Sequence, residues 1–276
     1  MNNFSILVNT CDKFEDCWNP FFKLFSIYWP QYKGKIYLNT EYKNFFYEKL
    51  TIIPVKGCEF KKDANIITWS ECLKRALERI DEDLILYVQE DYFFKNNVKN
   101  DIVNKYVGLM NDNKDIHCIH LTDQAVKGFE ASKEHKGLNI VDLNQRYRVS
   151  CQAALWRKDV LMEHIRTYEN AWQFEEFASK RSAILKHNFY VVDDTKVVLN
   201  KYEIIPYIFT GIVRGQWLEE VVQLFKTHNI KVDYTIRGFL SEAPKRTLKN
   251  KIIDKCKRLP ILMKNYLDLR ALKKNS

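Results

Sequence analysis

A chain of 276 residues that is 46% hydrophobic and 14% aromatic has enough apolar side chain for one large core, and no window approaches the roughly 18 uninterrupted apolar residues of a membrane span. The formal charge of +9 is gathered at one end: residues 241–276 hold eleven Lys or Arg against Glu242, Asp254 and Asp268, so the remaining 240 residues are close to neutral and no nucleic acid is expected as a partner. Seven cysteines without a C-x-x-C pair argue against a disulfide framework or zinc site, and a first segment without a basic stretch and apolar run leads to the expectation of a cytoplasmic protein.

In chain order, FSILVN (4–9) reads as a short buried strand, and the aromatic spacing of 18–29 as a helix closed by Pro30. KIYLN (35–39) is a second strand and LTIIPV (50–55) a weaker one. Over 68–80, Cys72, Leu73, Ala76, Leu77 and Ile80 share one helical face, with Lys74, Arg75, Glu78 and Arg79 opposite. LILYV (84–88) is the third strong strand. Alternation at this spacing predicts right-handed βαβ units and a mostly parallel sheet covered on both faces, an α/β, Rossmann-like first half. Beyond residue 95 the pattern loosens. It predicts a helix near 98–111, a strand at 116–121, a polar loop over 122–137 and extended stretches over 138–149. Helices near 157–167 and 172–186, strands at 189–192 and 196–199, and a helix over 215–227 follow. The eight glycines form neither G-x-G-x-x-G nor a P-loop, which argues against dinucleotide and P-loop chemistry.

The domain reading is a body over 1–243, divided into halves 1–95 and 96–243, and a tail over 244–276. In the tail, aliphatic residues interleave with Lys and Arg. This is the pattern of a basic amphipathic helix, suited to an anionic membrane surface or to docking on the body.

Three strands end in polar groups: Asn9-Thr10-Cys11-Asp12, Asn39-Thr40-Glu41 and Gln89-Glu90-Asp91. In an open α/β sheet, ligands bind outside the carboxyl ends of the strands. Burying Glu90 and Asp91 at the end of an apolar strand costs several kcal/mol each, on the order of what pairing, hydrogen bonding or a cation must offset. A Mg²⁺ or Mn²⁺ ion shared with substrate phosphates would do so.

With these residues the sequence resembles GT-A glycosyltransferases of bacterial capsule and lipopolysaccharide assembly. In that family the N-terminal half binds a nucleotide sugar, and a D-x-D motif at the end of a central strand contacts ribose and a metal-bridged diphosphate. The resemblance sets Gln89-Glu90-Asp91 in the place of D-x-D, with Asp91 as the metal-contacting acid and Gln89 replacing the first aspartate. It extends to VNTCDKFEDCWNPFF (8–22) and to ITWSECLKRAL (67–77). It implies that Thr10, Asp12, Asn39 and Glu41 meet base and ribose, and that Arg75 meets the diphosphate or sugar. Arg214, in the loop of YIFTGIVRGQWLEE (207–220), would close over the diphosphate.

SCQAALWRKDVL (150–161) and ENAWQFEEFASKR (169–181) resemble the acceptor half of the same fold, where an acidic residue beside a tryptophan serves as general base. Gln152 and Trp172 are then candidates for the acceptor, and Glu175 and Glu176 for the base. Trp172 and Glu175 are three residues apart on one helical face, which favours Glu175. A carboxylate base suggests inversion. Glu near a helix start is also favoured electrostatically without any catalytic role. The six histidines lack metal-binding spacing and are assigned no metal. The expected function is transfer of a sugar from a nucleotide-diphosphate donor to a glycan or lipid-linked acceptor. The alternatives are a nucleotidyltransferase, or a non-catalytic component of a glycan assembly complex that binds a nucleotide or glycan or bridges to the membrane.

Overall fold

The structure, a computed structural model, describes residues 4–59, 67–242 and 248–275. A nine-stranded sheet runs through it: β1 (Ser5–Asn9), β2 (Lys35–Asn39), β3 (Thr51–Pro54), β4 (Leu84–Gln89), β5 (Cys118–His120), β6 (Glu130–Ala131), β7 (Leu138–Ile140), β8 (Ala154–Arg157) and β9 (Phe189–Val192). Their spatial order is β3-β2-β1-β4-β8-β5-β9-β7-β6. β1 lies parallel to β2 and β4, β2 to β3, and β5 to β9, while β8 and β7 run against their neighbours. The sheet is therefore mostly parallel and Rossmann-like in its first half, as the strand–helix alternation predicts.

Period-two alternation explains how each strand serves two cores. Leu84, Leu86 and Val88 of β4 pack into one apolar cluster, while Ile85 and Tyr87 pack into the other. The first cluster lies under α1 (Glu15–Tyr28) and α3 (Asn100–Asp112), through Trp18, Phe21, Phe25, Val103 and Tyr106. The second lies under α2 (Trp69–Leu77), α4 (Lys158–Glu163) and α5 (Ala171–Ile184), through Leu73, Leu77, Val160, Phe174 and Ala178. Thr68 caps α2 by accepting from the Glu71 N–H at 3.1 Å, and Asn170 and Gln173 form a reciprocal capping box at the head of α5.

Several local expectations are corrected. β8, which sequence periodicity leaves unassigned, inserts antiparallel between β4 and β5. β6 falls inside the expected polar loop. Residues 196–199 form no strand, and Val198 and Tyr202 make an isolated bridge. The helix expected from 215 begins at Glu220 as α6 (Glu220–Thr227). It follows a hairpin of β10 (Ile212–Val213) and β11 (Gln216–Trp217), turned by Arg214 and Gly215 at φ 55° and 82°. Two positive φ values make this the two-residue turn that matches strand twist.

The tail is α7 (Leu248–Asn275). Residues 244–247, and the side chains over 248–257, lie outside the described residues, so much of the expected basic face does too. The second half of α7 docks on the body. Tyr266 meets Phe177 edge-on at 5.5 Å, Lys264 lies 4.0 Å over the Tyr168 ring, Arg166 reaches Asp268 at 2.8 Å, and Asn265 and Leu269 are buried. Among the described residues no helix is long and apolar enough to cross a membrane.

Candidate functional site

At the carboxyl edge of the sheet, three polar strand ends meet in one hydrogen-bonded chain. Asn39 Nδ2 donates to Asn9 Oδ1 at 2.7 Å, Asn9 Nδ2 to the Tyr87 hydroxyl at 3.0 Å, and Gln89 Nε2 to the same hydroxyl at 3.2 Å. Glu175 Oε1 accepts the Cys151 N–H at 2.8 Å, and the Cys151 thiol lies close enough to Tyr87 and Glu175 for both to act on it. Burial pushes the Tyr87 hydroxyl and the Cys151 thiol well above their ordinary values, so both remain neutral. Burial also raises the Glu175 carboxyl, against the lowering effect of Cys151 beside it. The ends of β1, β2 and β4 thus lie close to a carboxyl group on α5. A buried Arg181–Glu169 pair at 2.7 Å fixes the other turns of α5.

The two acids after β4 diverge. Glu90 is buried on the α1 side beside Thr10, and Arg237 is close enough to act on it electrostatically. Desolvation and then the neighbouring Asp91 push the Glu90 carboxyl well above the usual carboxylate range. Glu90 and Glu41 in turn add to the burial that pushes the Cys11 thiol up to about 11. Asp91 points the other way. Its Oδ2 accepts the Thr210 hydroxyl at 2.5 Å and the Ile212 N–H at 3.2 Å, and its carbonyl accepts the Gly211 N–H at 2.9 Å. A Cβ on Gly211 would lie 2.2 Å from Phe93, so only glycine allows this approach. Asp91 therefore anchors the 210–212 segment. A hard cation needs carboxylate oxygens free to turn toward it, so Asp91 fits that role poorly and Glu90 fits it better.

Other candidates from the sequence divide in the same way. Asp12 and Glu41 clamp each other's loops. Asp12 Oδ1 accepts the Glu41 N–H at 2.9 Å, Oδ2 accepts from Tyr42 and Lys43, and Glu41 Oε2 accepts the Asp12 N–H at 3.1 Å. Thr10 accepts from Trp18 Nε1 at 2.9 Å. Arg75 reaches the Gly57 carbonyl at 2.6 Å and Glu71 at 2.7 Å, holding the segment after β3 beside the crevice. Gln152 is buried between Tyr92 and Tyr207, donating to the first at 3.0 Å and accepting from the second at 2.8 Å, so it belongs to the wall and is not open to an acceptor. Arg214 is exposed at the hairpin tip. Trp172 is 72% exposed, and Glu176 pairs with Lys180 at 2.7 Å on the outer face of α5.

Three residues here are absent from the sequence reading. Tyr87 sits within an apolar run, where its only signal is a polar atom on an otherwise apolar strand, and Cys151 stands between Ser150 and Gln152 with no local signal of its role. Arg237, from a late segment of the chain, binds Asp16 through two nitrogens at 2.6 Å, lies 4.4 Å over the Phe14 ring and acts electrostatically on Glu90. Elsewhere among the described residues, ligating atoms of Asp115, Glu134 and His135 lie within 4.8 Å of one another, outside this crevice.

No protein-family model and no curated protein matches the chain. Among solved structures, residues 1–349 of S. aureus TarS match with 12% identity and a TM-score of 0.45, over 69% of this chain and 58% of that one. Glucosyl-3-phosphoglycerate synthase from Mycobacterium tuberculosis, in complex with Mn²⁺, UDP-glucose and phosphoglyceric acid, matches with 10% identity and a TM-score of 0.39, over 65% and 64% of the two chains. The bifunctional IspDF from Campylobacter jejuni matches with 16% identity and a TM-score of 0.35, over 74% and 51%. The chain spans just over half the length of the TarS fragment.

Proposed function

We propose that the chain is a GT-A-type glycosyltransferase that moves a sugar from a nucleotide-diphosphate donor to a glycan or lipid-linked acceptor in cell-surface polysaccharide assembly. The observation that carries this reading is the convergence of the ends of β1, β2 and β4 on the Tyr87 hydroxyl, with Cys151 and the Glu175 carboxyl group that it holds lying beside it. It joins a polar crevice, where a nucleotide would lie, to a carboxyl group of the kind that deprotonates an acceptor hydroxyl. In this reading Asn39, Thr10 and Gln89 face the base and ribose, and Arg75 and Arg214 serve the diphosphate or sugar. Glu175 is the base, which makes the reaction inverting. Mg²⁺ or Mn²⁺ would bind through Glu90 and would neutralise diphosphate charge. Trp172 stacks on the acceptor. A cytoplasmic site on the inner face of the membrane follows if the basic first half of α7 lies on anionic lipid.

The anchoring role of Asp91 favours a second reading, in which the crevice binds a nucleotide or glycan without turnover. Incubation with UDP-, GDP-, CMP- and TDP-sugars separates the two. Slow nucleotide release from one donor class supports transfer. Tight binding without release supports the second reading, and absence of both refutes the crevice as a donor site.

A further inference from the structure

A groove of about 1310 Å³ runs between α5, α7 and the 143–147 segment, and Glu175 lines it at the crevice end. Tyr147, Trp172 and Tyr266 offer exposed rings, at 37%, 72% and 57% exposure. Tyr147 is held at φ 59°, a left-handed conformation that a bulky residue adopts only at a cost of about 1–3 kcal/mol. Arg146 stacks 4.7 Å from the Tyr147 ring and donates to its hydroxyl at 3.0 Å, which fixes the ring in place. Around these rings stand Arg146, Lys180, Lys186, Arg270 and Lys273, against only Glu175 and Glu176 as acids. Lys186, Arg270 and Lys273 have no acidic partner among the described residues. Aromatic faces suit the C–H faces of sugar rings, and unpaired cations suit phosphate.

We propose that this groove holds the acceptor, and that the acceptor is a glycan chain carrying phosphate groups, with one sugar delivered to Glu175 and phosphates farther along the groove against Arg270 and Lys273. The assignment of Glu175 as the end of the path rests on the glycosyl-transfer reading. The ligand class rests on the rings and charges of the groove itself. A neutral glycan would leave Lys186, Arg270 and Lys273 without a partner, and a bare polyanion would leave the exposed Trp172 ring without one.

The test is binding, measured calorimetrically on the full chain. The probes are maltohexaose, phosphorylated maltohexaose and inorganic tripolyphosphate, with phosphatidylglycerol vesicles as a fourth arm. The expected result is that phosphorylated maltohexaose binds at least about tenfold more tightly than maltohexaose. The double variant Arg270→Glu/Lys273→Glu should abolish that preference, and both residues are exposed, so the fold should survive. Trp172→Ala should weaken both sugars and leave tripolyphosphate unchanged. Equal affinity for the two sugars overturns the proposal. So does tripolyphosphate binding as tightly as the phosphorylated sugar with no effect of Trp172→Ala, which would make the groove a bare charge patch. Vesicle binding lost in the double variant, without any sugar binding, would assign these cations to a membrane and overturn it as well. Because the readout needs no turnover, failure of donor hydrolysis would remove the glycosyl-transfer reading while these binding results stood on their own.

Discussion

Glu175→Gln is the most discriminating perturbation, because the side chain can change its chemistry there without changing its geometry. The carboxylate accepts the Cys151 N–H at 2.8 Å, and the amide oxygen of Gln can accept the same bond. What disappears is the ability to take a proton. A general base commonly contributes about 10²–10⁴-fold, or roughly 2.7–5.5 kcal/mol at about 1.36 kcal/mol per tenfold, so turnover should fall by that range. Stability should move the other way or not at all. Burial raises the folded-state carboxyl above its unfolded value, so between the two values the native state binds more protons. Stability then declines as pH rises through that window, and Gln removes the decline. The pH profile supplies a second readout, since the acid limb of kcat/KM should lie above the ordinary glutamate range in the parent and be absent in the variant. Glu176→Gln is the control. Its carboxylate is half exposed and pairs with Lys180 within one helix, an interaction worth about 0.3–0.5 kcal/mol. Nucleotide release and thermal melting at pH 7 measure both variants. Parent-like turnover in Glu175→Gln, or a larger loss in Glu176→Gln, refutes the assignment.

Glu90→Gln should lower nucleotide-sugar turnover by about 10²-fold while raising the melting temperature at pH 7, because Glu90 is held well above its ordinary value and its ionised form is disfavoured in the fold. A lower melting temperature would show that the charge of Glu90 supports the fold instead. Asp91→Ala removes the oxygen that accepts both the Thr210 hydroxyl and the Ile212 N–H and leaves those donors unpaired at a cost of about 1–3 kcal/mol, so thermal denaturation should shift downward by a few degrees. Unchanged melting with collapsed turnover would return Asp91 to the role that the D-x-D resemblance implies. Truncation after Ala243 should lower the melting temperature and uncover Phe177 and Tyr168, as read by melting and gel filtration. A truncated body that melts like the full chain would show that α7 is an independent tail.

Much of the first half is legible in the sequence because its strands are near-continuous apolar runs buried on both faces, and such runs announce themselves without knowledge of their partners. β1, β2 and β4 fall where FSILVN, KIYLN and LILYV predict them. β8 is not legible, since residues 154–157 become a strand by pairing with the remote residues 84–87 and 118–120. The hairpin at 212–217 did carry a local signal, Arg-Gly flanked by Val213 and Gln216, but the helical periodicity of α6 masks it when extended back to 215.

The site divides along the same line. That three polar strand ends would converge follows from the architecture of a parallel sheet, whose carboxyl edge is where the chain leaves the core. Which of their oxygens remain free does not follow, because the deciding partners are remote: Thr210 lies 119 residues from Asp91, and Arg237 lies 221 residues from Asp16. Motif spacing therefore assigns the metal-contacting role to Asp91, whereas the hydrogen bonds give Asp91 a structural role and leave Glu90 as the carboxyl group with electrostatic work to do. The difference has a physical signature. A buried acid whose charge is satisfied by hydroxyl and amide donors stabilises the segment that supplies them. Burial raises both carboxyl groups, but at Asp91 hydroxyl and amide donors oppose the rise, whereas Glu90 is pushed well up with Asp91 beside it and its ionised form is destabilising until a cation or proton arrives. On that argument the crevice is poised at Glu90, and a ligand that brings positive charge to it would stabilise the fold as it binds.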